Sequence, residues 1–172
     1  WCSDCDLRWY DPCHLGEGDF YAHLGSFPSY YAPMSWDKVT ALEMVRQLRP
    51  QSVVDVGCGD GWLIRQLQKE GFAVQGTEIN EAEIQSLKAE NLAVYSPEAA
   101  VQAGVRASMM VSLQTLEHVR SPLEWLSEQV GHFKPDTVLL AVPAHDTMLG
   151  YTSDPLVWPP DRKSTRLNSS HT

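Results

Sequence analysis

Residues 52–62 read SVVDVGCGDGW, and this stretch decides the fold. Its first half is rich in β-branched residues, a composition typical of a strand buried on both faces of a parallel sheet. Its second half holds three glycines, which let the backbone turn with positive φ and place no Cβ in the way of a ligand. The amphipathic segment that follows predicts a helix whose free N–H groups and positive dipole end face the turn. A strand, a tight glycine turn and a helix N-terminus in this order predict a nucleotide site.

Two residues of this stretch distinguish between kinds of nucleotide ligand. The dinucleotide fingerprint G-x-G-x-x-G has a third glycine for close helix packing, and this chain has Trp62 in that place. Asp55 lies near the end of the predicted strand, where its carboxylate would be poorly placed beside a pyrophosphate. The same carboxylate can meet the ammonium group of an amino-acid ligand.

A second acidic residue follows at the separation that ribose recognition requires. Residues 72–80 read FAVQGTEIN, an apolar run with Glu78 near its end, about 20 residues beyond the glycine turn. A carboxylate here can accept hydrogen bonds from both ribose hydroxyls, and the next residue, Ile79, is expected to lie against the adenine. The alternative for an isolated acid is a solvated strand end.

A third segment carries the candidate catalytic residues. Residues 107–113, ASMMVSL, predict a buried central strand, and QTLEHV follows at 114–119. Ligands of open α/β sheets bind at the carboxyl ends of the strands, so Glu117 and His118 are candidates for work at the reacting group. His118 can act as a base for a substrate hydroxyl or amine, with Glu117 orienting it or binding a metal ion. The alternative is a structural pair that braces the loop.

These motifs together resemble the class I S-adenosylmethionine-dependent methyltransferases. Motif I of that family is an apolar strand, Asp or Glu, and then x-Gly-x-Gly-x-Gly. The Leu-Glu-His loop is also similar to the family, as is FKPDTVLLAVP at residues 133–143, although Asp136 and Thr137 replace the usual glycine pair. The resemblance covers about residues 36–143. It implies an α/β fold with a Rossmann-like, doubly wound, mostly parallel sheet whose C-terminal strands are missing.

The resemblance implies transfer of a methyl group from S-adenosylmethionine to a small-molecule or protein acceptor. In the family a polar or acidic group after the third strand often meets the adenine amino group, and this chain offers Ser96 or Glu98 there. The implied cofactor-binding residues are Asp55, Gly57, Cys58, Gly59, Gly61, Glu78, Ile79, Ser96 and Leu113.

Two other functions remain open at the level of the sequence. An NAD-dependent oxidoreductase would use Glu78 equally well, but it gives no role to Asp55, Trp62 or the Leu-Glu-His loop. A zinc-ribbon binding module with a non-catalytic Rossmann domain is the second alternative.

The N-terminal region contains a partial metal-binding pattern. Cys2 and Cys5 have the Cys-x-x-Cys spacing that places two thiolates on one zinc ion, and a structural zinc site needs four ligands. Cys13 and His14 can complete the set, but their adjacency is awkward for one metal. We therefore favour a truncated zinc ribbon, with plain reduced cysteines as the alternative. Further along, aromatic residues at 30 and 31 are candidates to line a lid over the cofactor.

Composition limits the remaining possibilities. A chain of 172 residues with 43% hydrophobic residues fits one domain with its own core. The formal charge of −9 disfavours nucleic acid as a partner. No apolar run approaches the ~20 residues of a membrane span, and no signal peptide is evident. A cytoplasmic protein without membrane contact is expected.

Both ends of the sequence look unnatural. The chain begins at Trp1, so residues upstream are expected to be missing. Residues 161–171, DRKSTRLNSSH, match the translation of a common sequencing adapter, whereas their polar composition also fits a disordered tail. The sequence thus predicts three regions: a partial zinc-ribbon or lid segment at 1–31, an incomplete methyltransferase domain at 32–160, and a non-native tail at 161–172.

Helix boundaries can also be predicted. Helices are expected at 36–48 and 122–133, and N-caps at Asp60, Asn80 and Ser121, the last within a capping box. The helix at 122–133 is expected to bury Leu123, Leu126, Val130 and Phe133.

Overall fold

The computed structural model describes residues 18–27, 30, 35–142 and 166–171. Its strands are β1 (Val53–Val56), β2 (Val74–Thr77), β3 (Val94–Tyr95), β4 (Met109–Leu113), β5 (Thr137–Val142) and β6 (Arg166–His171). Its helices are α1 (Gly18–Gly25), α2 (Trp36–Leu48), α3 (Trp62–Lys69), α4 (Glu81–Ala89), α5 (Pro97–Gln102) and α6 (Pro122–Phe133), with a 3₁₀ turn at Leu116–His118.

The six strands form one sheet in the order β3-β2-β1-β4-β5-β6. The first five are parallel, and β6 is antiparallel to β5. Strand β1 pairs with β2 on one side and with β4 on the other. The order of the strands along the chain therefore reverses between β1 and β4. This reversal is the topological switch point, where the crevice at the carboxyl ends of the strands takes ligands. The predicted Rossmann-like, mostly parallel α/β fold is confirmed.

Helices cover both faces of the sheet, as parallel strands require. On one face, residues of α2 and α3 pack against β1, β4 and β5, in a cluster that includes Val45, Leu67 and Met109. On the other face, Phe133 of α6 and Ala100 of α5 pack against β1 and β4. A third cluster joins α3 and α4 near β3. These layers hold the glycine turn between β1 and α3 against a rigid core.

The helix termini agree in part with the boundaries and N-caps predicted from the sequence. The prediction of α2 is confirmed, and Asn80 Oδ1 caps α4 by accepting a hydrogen bond from the Ala82 N–H at 3.1 Å. The N-cap of α3 is Gly61 rather than Asp60, although Asp60 Oδ1 still accepts from the Trp62 N–H at 3.2 Å. Ser121 precedes α6 but makes no side-chain cap hydrogen bond, so the predicted capping box is wrong.

The predicted buried face of α6 needs one further correction. Phe133 is 2% exposed, and Leu126 and Val130 are partly buried against the second cluster. Leu123, in contrast, is 81% exposed. It lies in the first turn of α6, and the helix contacts the core through its later turns.

Two elements were not anticipated. Helix α1 lies within the region predicted as a zinc-ribbon or lid segment, and it contacts α4. Strand β6 lies within the predicted tail, and its pairing with β5 runs from His171 opposite Thr137 to Arg166 opposite Val142. The origin of residues 161–172 stays a prediction. Among the described residues, no helix is long and apolar enough to cross a membrane.

Candidate active site

The glycine turn owes its shape to backbone conformation and close packing. Gly57, Gly59 and Gly61 have φ values of 78°, 52° and 71°, in the region that favours glycine. A Cβ on Gly57 would overlap the side chain of Thr115, and one on Gly61 would lie 2.6 Å from a methyl group of Leu87. The protein itself therefore excludes a side chain at both positions, apart from any requirement of a ligand.

The N–H groups of this turn are hydrogen-bonded inside the protein. The N–H groups of Gly57 and Cys58 both donate to the carbonyl oxygen of Thr77 at 2.9 Å. The Gly59 N–H donates to Glu78 Oε2 at 2.8 Å. A pyrophosphate-binding turn offers its N–H groups to the ligand, whereas here oxygens of the protein accept hydrogen bonds from all three.

Glu78 is held in one orientation by backbone donors. Its Oε1 accepts from the N–H groups of Ile79 and Asn80 at 2.8 and 2.9 Å, and its Oε2 accepts from Gly59. A carboxylate has about four lone-pair sites, so these described contacts leave one, on Oε2. The remaining lone pair on Oε2 can accept from a ribose hydroxyl, and the contact with both hydroxyls stays a prediction. Ile79 beside it is 50% exposed, and its contact with an adenine stays a prediction.

Asp55 is buried in the middle of the sheet. It lies between Gly76 of β2 and Val111 of β4 and is only 3% exposed. Burial raises its pKa to about 7, while Lys38 opposes the rise and nearby carboxylates add to it. The carboxyl is not open to a ligand in this structure, and its predicted contact with an ammonium group stays a prediction.

Three further predicted residues have structural roles. Cys58 is buried in the third cluster, beside Gly76, and burial raises the pKa of its thiol well above the ordinary value. Ser96 Oγ accepts from the Ala99 N–H at 3.2 Å and so caps α5. Leu113 ends β4 and is partly buried against the first cluster. These contacts leave their predicted roles at the cofactor untested.

Glu117 and His118 lie together in the 3₁₀ turn after β4. Their closest approach, Nε2 to Oε1, is 3.9 Å, which is too long for a hydrogen bond. Burial raises the pKa of Glu117 to about 7, with the charge of Asp37 adding to the rise, and burial lowers the pKa of His118. The His118 side chain is 46% exposed. His118 is thus a neutral, accessible base near pH 7, but no direct hydrogen bond from Glu117 orients it.

Gln114 is a candidate site residue that the sequence interpretation did not single out. It follows β4 directly, its φ is 54°, and its N–H donates to Ala141 O at 2.8 Å. Its Oε1 is buried and finds no hydrogen-bond partner within the described part of the chain. Strained non-glycine residues and unpaired buried polar atoms are concentrated at functional sites. The only sequence signal was a long polar side chain at the carboxyl end of a buried strand.

The region around Asp55 is strongly acidic. Within the described part of the chain, the carboxylates of Asp37, Asp60 and Glu78 act on Asp55, and the cation of Lys38 opposes them. Lys38 Nζ itself lies 3.1 Å from Asp60 Oδ1. Such a site favours a cationic ligand over one that carries phosphates.

Two tyrosines lie within electrostatic reach of Glu78 and Glu117. Burial raises the pKa values of Tyr21 and Tyr30, and the charges of Glu78 and Glu117 raise both further. Tyr30 was predicted to line a lid and is 37% exposed. Its predicted partner Tyr31 lies outside the described residues.

The zinc prediction cannot be matched to the structure. Cys2 and Cys5, with the adjacent pair at 13 and 14, lie outside the described residues. Within the described part of the chain, no three His, Cys, Asp or Glu side chains come together as a metal site. The zinc ribbon and the metal role of Glu117 therefore stay predictions.

Comparison with known proteins agrees with this architecture. A methyltransferase domain family matches residues 31–167. The chain is 26% identical over 152 residues to the ubiquinone biosynthesis O-methyltransferase of Dinoroseobacter shibae, covering 77% of this chain and 57% of that relative. It thus spans little more than half the length of this curated relative.

Solved structures share the fold at low sequence identity. The methyltransferase domain of bacterial CtHen1-CN superposes with a TM-score of 0.58 at 18% identity, covering 73% of this chain and 72% of that one. The plantazolicin methyltransferase BpumL, solved in complex with SAH, gives a TM-score of 0.55 at 12% identity, covering 76% and 54% of the two chains.

The chain belongs to the methyltransferase domain family, since the family match spans most of its length. This confirms the resemblance to the class I S-adenosylmethionine-dependent methyltransferases that the glycine turn, Glu78 and the Leu-Glu-His loop indicated.

Proposed function

We propose that this chain transfers a methyl group from S-adenosylmethionine to a hydroxyl group of a small aromatic acceptor. The observation that carries the proposal is the fixed carboxylate of Glu78 beside the glycine turn, in an acidic crevice at the switch point of the sheet. S-adenosylmethionine carries a sulfonium, an ammonium and one carboxylate group, so its net charge is positive, and it has no phosphate. The ligand's charge therefore matches the crevice, whereas the two phosphates of NAD would be repelled.

Glu78 and Ile79 fit different parts of the cofactor. Glu78 Oε2 retains a lone pair for a ribose hydroxyl, and the exposed Ile79 offers apolar contact to the adenine. When bound, S-adenosylmethionine supplies an activated methyl group on a cationic sulfur. The chain's task is then to align the acceptor and to exclude water.

His118 can serve as the base of the reaction. Burial lowers its pKa, so the imidazole is neutral and can accept a proton near pH 7. In this role the imidazole would accept the O–H proton of the acceptor, so that the oxygen's electron pair could form a bond to the methyl group that the cofactor would supply, with S-adenosylhomocysteine as the leaving group. A phenolic hydroxyl suits this base, because its pKa is about 10 and far below that of an alkanol. The relative from Dinoroseobacter shibae is named as an O-methyltransferase, which agrees with this choice of nucleophile.

Incubation of the protein with S-adenosylmethionine and catechol tests the proposal, with benzylamine as the matched amine acceptor. Methyl ether formation from catechol is expected, and His118→Gln is expected to lower the rate about 100-fold, the usual effect of losing a general base. As the pH is lowered, the rate of methylation should fall with a midpoint below pH 6.5, because the pKa of His118 is lowered. His132→Gln, at a histidine of α6, is the control and should retain the rate. Methylation of benzylamine alone would contradict the proposed acceptor class.

A further inference from the structure

A surface cavity lies at the edge of the sheet opposite the crevice of Glu78 and His118. Its volume is about 390 Å³. The residues that line it come directly before the parallel strands β1, β4 and β5, so they gather at the amino ends of these strands. They are residues 51–52, 106–108, 133–134 and 136. Ligands of the crevice bind at the carboxyl ends of the strands, so a ligand of this cavity would occupy a separate site.

Hydrogen bonds tie the three segments of this lining together. The Ser52 N–H donates to Ser108 Oγ at 3.0 Å, and the Ser108 N–H donates to Ser52 Oγ at 3.1 Å. Ser108 O accepts from the Asp136 N–H at 2.9 Å, and Phe133 O accepts from the Ala107 N–H at 3.2 Å. The backbone of the lining is therefore in place before any ligand binds, which lowers the entropy cost of binding.

The charged side chains of the cavity are two cations and one acid. Arg106 and Lys134 are the cations, and Asp136 is the acid. Within the described part of the chain neither cation forms an ion pair, whereas Arg46 and Arg65 each pair with a glutamate. The side chains therefore give the cavity a net positive charge, on a chain whose formal net charge is −9.

Hydrogen-bond donors are also in excess in this cavity. Arg106 Nη1 donates to Val105 O at 2.8 Å, and the rest of the guanidinium finds no acceptor among the residues that the structure describes. Ser52 Oγ accepts from the Ser108 N–H, and its own hydrogen likewise has no acceptor among those residues. Guanidinium, ammonium and hydroxyl donors that line one space suit the oxygen atoms of an anion.

We propose that this cavity binds a small phosphate monoester, with the phosphate group held between Arg106 and Lys134. A phosphate monoester carries about two negative charges near pH 7 and three acceptor oxygens, which match the two cations and the hydroxyl of Ser52. Arginine binds phosphate through two parallel hydrogen bonds, and lysine adds a point charge. The volume lies in the range of small-molecule sites, about 300–1,000 Å³. The acidic crevice around Asp55 repels the same ligand, so the two sites select ligands of opposite charge.

Calorimetric titration of the full chain at constant ionic strength tests this site. Glycerol 3-phosphate is the probe, glycerol is its neutral counterpart, and glycerate carries a carboxylate in place of the phosphate. Glycerol 3-phosphate is expected to bind, glycerol is not, and glycerate should bind more weakly because it carries one negative charge instead of two.

Four variants assign the binding to the cavity. Arg106→Gln should weaken the binding of glycerol 3-phosphate at least tenfold, since a charged hydrogen-bond donor is lost. Lys134→Asn should weaken it similarly and keep the fold, because asparagine tolerates the φ of 51° at this position. Asp136→Asn removes the opposing carboxylate and should strengthen binding about two- to fivefold. Lys88→Gln, at the end of α4, is the control and should bind as the wild type does.

Three outcomes would overturn the inference. Wild-type protein that does not bind glycerol 3-phosphate has no such site. Equal weakening in Lys88→Gln and Arg106→Gln would show that only the overall charge matters. Equal affinities for glycerate and glycerol 3-phosphate would contradict the phosphate class. None of these titrations involves S-adenosylmethionine, so each outcome leaves the proposed function unaffected. Melting temperatures of the variants would show that each is folded.

Discussion

At the scale of single residues, the site depends on carboxyl groups in unlike environments. Glu78 is buried and accepts hydrogen bonds from three backbone N–H groups. Asp55 is equally buried, but burial dominates there and its pKa rises to about 7. Glu117 has a similarly raised pKa for the same main reason. The sequence predicted all three residues near the ligand, but it could not show how deeply each carboxyl is buried or which backbone N–H groups reach it, because both depend on segments distant in the chain.

Asp55 should make the stability of the protein depend on pH. Its folded-state pKa of about 7 lies above its ordinary 3.8, so the fold favours the neutral carboxyl. The stabilisation is complete below about pH 4 and is lost as pH rises toward 7, at up to about 1.4 kcal/mol per pH unit. Urea unfolding between pH 5 and 7 should therefore show the free energy of unfolding falling by about 2 kcal/mol from this group.

Asp55→Asn removes the titrating group and should flatten that part of the profile. Glu43→Gln, at an exposed position of α2, is the control and should keep the wild-type slope. Equal slopes in wild type and Asp55→Asn would show that Asp55 is not the group responsible.

At the scale of elements, the sequence predicted that a turn joins β1 to α3, but it did not predict the contacts that hold this turn. Three glycines after a valine-rich strand predicted the turn, and the positive φ values of these glycines agree with that prediction. The sequence did not reveal that Gly57 packs against Thr115, a contact across 58 positions of chain. Likewise, Ser121 has a capping-box sequence but makes no cap hydrogen bond, since local pattern does not fix side-chain rotamers.

Gly57→Ala should destabilise the protein for two reasons. The substitution places an alanine at φ 78° and forces its Cβ against Thr115. Together these effects should lower the free energy of unfolding by about 2–4 kcal/mol. Gly104→Ala is the matched control, because Gly104 has φ 66° but open space around its Cβ position. That variant should lose only about 1 kcal/mol. Equal losses in chemical denaturation would show that the contact with Thr115 is unimportant.

At the scale of the whole molecule, alternation of strands and helices was sufficient to predict a parallel sheet with its ligand crevice at the switch point. The α1 helix was missed because its apolar residues form no long periodic pattern in GDFYAHLG. Strand β6 was missed because RLNSSH is polar and lacks strand-forming composition. The cluster of acidic side chains around Asp55 could not be predicted from the net charge of −9, because a net charge does not show where the charged residues lie in the fold.

The most direct test of the cofactor assignment is calorimetric titration of the full chain with S-adenosylhomocysteine, with NADH titrated into a parallel sample. Micromolar binding of S-adenosylhomocysteine and no binding of NADH are expected. Glu78→Ala should weaken the binding at least tenfold, because the variant loses the ribose acceptor and the partner of the Gly59 N–H. Glu43→Ala, on the exposed side of α2, should bind as the wild type does. Binding of NADH alone, or unchanged affinity in Glu78→Ala, would contradict the assignment.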